Sequence, residues 1–83
     1  MDDLTIIEGI GPKIASLLKE AGVDTLVELS KKEPAQIKEV LTAAGNRYAR
    51  HNPGTWPKQA EMAAAGKFDE LKVWQDELQG GKA

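Results

Sequence analysis

The chain has no cysteine among its 83 residues. That excludes disulfides and thiolate metal sites. Its single histidine, His51, cannot build a metal site alone. Aromatic residues are scarce: two tryptophans, one tyrosine and one phenylalanine. No apolar run approaches the roughly 20 residues that a spanning helix needs, so no membrane partner is expected. The acidic N-terminal region, with Asp2 and Asp3, lacks the pattern of a signal peptide. No stretch alternates apolar and polar residues with β-branched enrichment, so no strand is expected. Strong basicity is missing too. The net charge is −2 and the pI about 5.3, which argues against a strong, nonspecific nucleic-acid binder. A soluble, cytoplasmic, monomeric small domain with a thin core is the expectation.

What is present is helical. Ala, Leu, Lys, Glu and Gln dominate, and they suit helices. The fold class expected is all-α: a compact five- to six-helix domain over residues 1–79, with a flexible tail at 80–83. The first helix is predicted from Asp3 to Ile7, capped by Asp2 or Asp3. The second begins at Pro12, a residue suited to a first helical turn, and stops before Gly22. The third opens on Thr25-Leu26-Val27-Glu28, a capping box with Val23 as staple, and ends near Ser30. The fourth runs from Pro34 to Ala43 and ends at Gly45. Residues 45–55 read as one long irregular stretch around the Asn52-Pro53-Gly54 turn. Thr55 caps a fifth helix, Trp56 to Ala65, and a sixth runs from Phe68 to Leu78. Trp56, Phe68 and Trp74 are expected to pack these last two helices onto the rest.

The most informative stretch is Gly9-Ile10-Gly11-Pro12-Lys13, bracketed by Leu4, Ile7, Ile14, Leu17 and Leu18. A tight turn into a helix start points backbone N–H groups outward. An anion, typically a phosphate, is the ligand such a surface suits. The charge distribution leaves room for this. Residues 1–10 carry −3, residues 11–67 carry +3, and residues 68–83 carry −2. Arg47, Arg50 and Lys58 lie in a stretch without acids. With His51 they form a candidate second basic surface, and Tyr48 is its candidate stacking residue. The bland reading is a solvated loop with Tyr48 turned into the core.

The pattern Leu4-x-x-Ile7-x-Gly9-Ile10-Gly11-x-x-x-Ala15-x-x-Leu18 resembles the helix-hairpin-helix motif of DNA-repair and recombination proteins. Ala15 stands where the two helices must approach closely. Further along, Gly45-Asn46-Arg47, Trp56-Pro57, Ala63-Ala64-Ala65-Gly66-Lys67 and Asp76-Glu77-Leu78 resemble a small bacterial family of such proteins of uncertain function. Some of its members are called predicted flap-endonuclease-like nucleases. The resemblance divides the domain into the hairpin at 3–22, a connector and degenerate second half at 24–44, and a helical pair at 55–79. It implies that main-chain N–H groups at Gly9, Ile10, Gly11 and Lys13 hold a DNA phosphate, duplex or branched. Arg47 and Arg50 are secondary candidates. It also implies a monovalent cation site on the carbonyls of Thr5, Ile7 and Ile10, with no other cofactor. Two departures weigh against tight binding. Glu8 adds negative charge beside the turn, and the second glycine hairpin is gone.

The carboxylates do not form a nuclease pattern. Metal-dependent cleavage of phosphodiesters needs several acids converging on divalent ions. Asp2 and Asp3 sit together near the start, and Asp69, Glu70, Asp76 and Glu77 are split between two ends of one helix. The expected function is therefore a non-enzymatic nucleic-acid-binding module without sequence specificity. The alternative is a protein-interaction domain that keeps the hairpin only for folding.

Overall fold

A computed structural model describes residues 3–80, with side chains over residues 3–78. The order is a 3-10 turn at Leu4–Ile6, then α1 Pro12–Glu20, α2 Leu26–Ser30, α3 Pro34–Ala44 and α4 Asn46–Ala49. A second 3-10 turn at Pro53–Thr55 leads into α5 Trp56–Ala64, followed by α6 Phe68–Gly80. Among the described residues there is no strand. The fold is all-α, as the composition indicates.

Local chemistry explains most boundaries. Asp3 accepts a hydrogen bond from the Thr5 N–H at 3.0 Å and so caps the first turn. That element is a single 3-10 turn rather than the α-helix expected over Asp3–Ile7, because the glycine turn follows at once. Asp2, the other candidate cap, lies outside the described residues. Thr25 Oγ1 accepts from the Glu28 N–H at 3.0 Å, and Glu28 reaches back to the Asp24 N–H at 3.2 Å. At the start of α3, Gln36 Oε1 accepts from the Glu33 N–H at 2.9 Å. Helices α1 and α5 close on Schellman turns: Val23 N–H donates to Leu18 O at 2.8 Å, and Lys67 N–H donates to Met62 O at 2.9 Å.

Four expectations are corrected. Residues 45–55 are not irregular: α4 and the second 3-10 turn occupy most of them. Lys38 orders this segment by donating from Nζ to the carbonyls of Ala49 and His51. Thr55 stands at the start of α5 but makes no capping bond to its backbone. Its hydroxyl accepts instead from Gln59 Nε2 at 3.0 Å. Phe68 is 55% exposed. It begins α6 immediately after the Gly66–Lys67 turn, at the rim of the packing surface. Helix α6 continues to Gly80 rather than ending at Leu78. The rest of the expected tail, 81–83, lies outside the described residues.

One core joins these elements. Leu4, Ile7, Ile10, Ile14, Leu18, Leu29, Ile37, Leu41, Trp56, Ala60 and Leu71 are buried in it. Trp74 and Tyr48 pack against it half-buried. Helix α2 lies along α5, α1 and α4 pack on α3, and α6 covers α5. The molecule is flattened, 33 × 32 × 20 Å, so the core is thin. Full burial of each large aliphatic side chain supplies about 2 kcal/mol.

Candidate functional site

The hairpin is built by its own apolar residues. Leu4, Ile7, Ile10 and Ile14 all point into the core, which leaves Glu8, Gly9, Gly11, Pro12 and Lys13 at the surface. Ile7 N–H donates to Leu4 O and Ile10 N–H to Ile7 O, both at 3.1 Å. Gly9 has φ +103°, a conformation that a side chain strongly disfavours. A Cβ there would also sit 2.7 Å from Trp56 Nε1. The residue is glycine for two independent reasons of folding. Gly11 differs. Its φ is −91°, and an added Cβ would meet nothing within 4 Å.

A pair of side-chain amides, one buried and one half-buried, holds the turn from behind. Gln59, fully buried on α5, accepts from the Glu8 N–H at 2.7 Å and donates to Glu8 O at 3.2 Å. Its Oε1 also accepts from Gln75 Nε2 at 2.9 Å. With the Thr55 bond, the full hydrogen-bonding capacity of the Gln59 amide is used. Gln75, on α6, donates in addition to Ile6 O at 2.8 Å. The sequence carried one overlooked signal for this. Gln59 stands at a core position of the Trp56, Ala60, Ala63 stripe, where a polar residue must find partners.

On the outer side the backbone is unsatisfied. The N–H groups of Gly9, Gly11, Lys13 and Ile14 donate to no acceptor among the described residues. Pro12 has none to give. Ile10, a candidate, offers no free amide, since its N–H serves Ile7 O and its side chain is core. Ile14, not anticipated, does offer one. The Lys13 side chain is exposed beside them. The helix that starts here is nine residues long, so its aligned dipoles add positive potential at this end. Among the candidate cation-holding carbonyls, those of Thr5 and Ile10 accept no hydrogen bond among the described residues, whereas Ile7 O accepts one.

Beside the turn lies a cleft of about 460 Å³. Glu8, Gly9, His51, Trp56 and Glu77 are among its lining residues. His51 thus reaches the hairpin region. Arg47 and Arg50 do not line this cleft. Both are exposed, on α4 and at its C-terminal end. Tyr48 is turned against the core, as the bland reading had it. Among the described residues no group of three or more His, Asp or Glu side chains comes together to hold a metal ion. No described helix is long and apolar enough to cross a membrane.

Two carboxyls are held below the ordinary range. For Asp3 the cause is its hydrogen bonds from the Thr5 side chain and backbone. For Glu28 the contacts with Asp24 dominate, followed by those with Thr25. Both belong to caps rather than to the hairpin amides.

Comparisons with known proteins agree with this geometry. A curated relative from Paracoccus denitrificans, described as an "uncharacterized 22.9 kDa protein in nqo2 3'region", is 35% identical over 65 residues. The match covers 78% of this chain but only 30% of that relative. No solved structure matches the chain significantly. Residues 4–64 match the RS2/RL21/YNQ2 HHH domain, a domain type compatible with nucleic-acid binding. The match takes in the glycine turn, the Gln59 clasp on α5 and every helix except α6, and the chain belongs to this helix-hairpin-helix family.

Proposed function

We propose that this domain is a non-enzymatic nucleic-acid-binding module that holds a backbone phosphate at its hairpin without reading base sequence. One observation carries the reading. The amides of Gly9, Gly11, Lys13 and Ile14 have no acceptor in the described chain, yet they cluster at an exposed helix start beside a lysine. Phosphate oxygens would satisfy them. Gly11 adds support. Folding places no steric demand on it, whereas a ligand backbone approaching closely would. The carbonyls of Thr5, Ile7 and Ile10 would hold a monovalent cation, whose charge would add attraction for the phosphate. Among the described residues the acids and His51 assemble no group of three that could hold a metal ion, and the reading accordingly includes no cleavage step.

A single hairpin touches few phosphates, so affinity is weak, about 10⁻⁴ M at physiological salt, and strongly salt-dependent. Fluorescence anisotropy with single-stranded, duplex and branched DNA, and with RNA, tests this. Binding at low salt that weakens on raising salt, and weakens again in Lys13→Glu, is the expected result. A folded protein that binds none of these at low salt refutes the proposal. The protein-interaction reading draws on a different observation: contact with Trp56 accounts for Gly9 with no ligand at all.

A further inference from the structure

Helix α6 lies beyond the segment that matches the family, yet it reaches the hairpin. Gln75 donates to Ile6 O at 2.8 Å and to Gln59 Oε1 at 2.9 Å. Leu71 of the same helix is buried and Trp74 is half-buried. The helix is therefore fixed in azimuth as well as in position. Two residues beyond Gln75, Glu77 lines the same cleft as Glu8 and Gly9. The helix is acidic along its length, with Asp69, Glu70, Asp76 and Glu77 against Lys72. Its Gln75–Leu78 stretch is brought to the turn.

We propose that α6 is an autoinhibitory strap, which uses the Gln75 anchor to hold the Glu77 carboxylate beside the glycine turn and so restrains anion binding there. The proposal rests on the hairpin being the phosphate site. Glu77 and Glu8 then share one cleft next to that site, and a phosphate arriving at the turn meets both negative charges. Carboxylates within about 10 Å remain incompletely screened at moderate salt. An undocked α6 would remove Glu77 and leave only Glu8. A partner protein with a basic surface that competes for α6 would thereby strengthen phosphate capture.

The test uses the full chain and charge reversal. Glu77→Lys is compared with Glu20→Lys, which changes the net charge equally. Glu20 lies at the opposite end of α1, about 12 Å along the helix from its start. Circular dichroism confirms that both are folded. In duplex-DNA anisotropy at low salt, Glu77→Lys is expected to bind about three- to tenfold more tightly than wild type and than Glu20→Lys. The neutral variant Glu77→Gln should fall between wild type and Glu77→Lys. If Glu20→Lys gains as much as Glu77→Lys, the effect is one of net charge and the strap is refuted, although the hairpin reading survives. If Glu77→Lys binds more tightly but binding no longer depends on Lys13, the new lysine has made its own site and the strap is again refuted. If no variant binds, the hairpin reading and the strap fall together.

Discussion

Gly9 and Gly11 look alike in sequence and have different tasks in the structure. Gly9 combines φ +103° with a close approach to the Trp56 indole. Gly9→Ala therefore forces both backbone strain and repacking, and should cost about 2–4 kcal/mol in chemical denaturation. Gly11→Ala meets neither obstacle. It should cost no more than about 1 kcal/mol, the loss of a favourable N-cap residue. The same substitution should weaken DNA binding, because a methyl group then stands among the amides. A Gly11→Ala protein that binds DNA as wild type does would remove the main support for close approach. Gln59 presents the opposite case, a polar side chain doing the work of a backbone. Gln59→Leu strands the Glu8 N–H and C=O and frees Gln75 from one partner. The expected loss is about 2–4 kcal/mol, with amide exchange at Glu8 and Gly9 rising more than in α3.

At the scale of elements, the caps make the first turn sensitive to acid. Hydrogen bonds from Thr5 lower the Asp3 carboxyl below its ordinary range. A depressed folded-state value means that the ionised cap contributes stability above the unfolded value. That contribution is lost as pH falls through the folded value. The Thr5 N–H should accordingly lose protection from exchange on the acidic side, before the core amides do. At neutral pH and above it should be insensitive to pH. Lys38 gives a second element-level expectation. Its bonds to Ala49 O and His51 O tie α3 to the last residue of α4 and to the segment after it. Lys38→Met should speed amide exchange around residues 49–52 and cost about 1 kcal/mol.

These elements also show what was legible in advance. Helix starts at Pro12, Leu26 and Pro34, and stops at Gly22 and Gly66, follow from local chemistry that a sequence displays directly. The hairpin was legible for the same reason. Helix α4 was not. Asn46 and Tyr48 are indifferent helix formers, the helix is only four residues long and an Asn-Pro-Gly turn follows it, while bonds from Lys38 steady the end of α4. The Gln59–Gln75 clasp joins residues far apart in the chain to Glu8 and Ile6, so no local window could reveal it. Periodicity placed Phe68 on the same face as Leu71 and Trp74. It could not show that Phe68, the first residue of α6, is left 55% exposed.

At the scale of the whole molecule, charge rather than fold limits the proposed phosphate binding. The chain is acidic overall, and its positive charge sits between acidic ends. The hairpin therefore works against the surrounding field. The number of phosphates engaged should be small. A plot of log affinity against log salt should have a slope of about −1 to −3, because each phosphate contact contributes about −0.9 for duplex DNA. A much steeper slope would mean that Arg47, Arg50 and Lys58 form a continuous surface with the hairpin after all.

The most direct test of the hairpin as phosphate site is a titration of the isotopically labelled protein with a short DNA duplex at low salt, followed by amide chemical shifts. The account predicts that the largest changes fall on Gly9, Gly11, Lys13 and Ile14, with Pro12 silent for want of a proton and Ile10 moving less than its neighbours. Changes centred on α4, or on the exposed face of α6, with the hairpin amides unmoved, would contradict it.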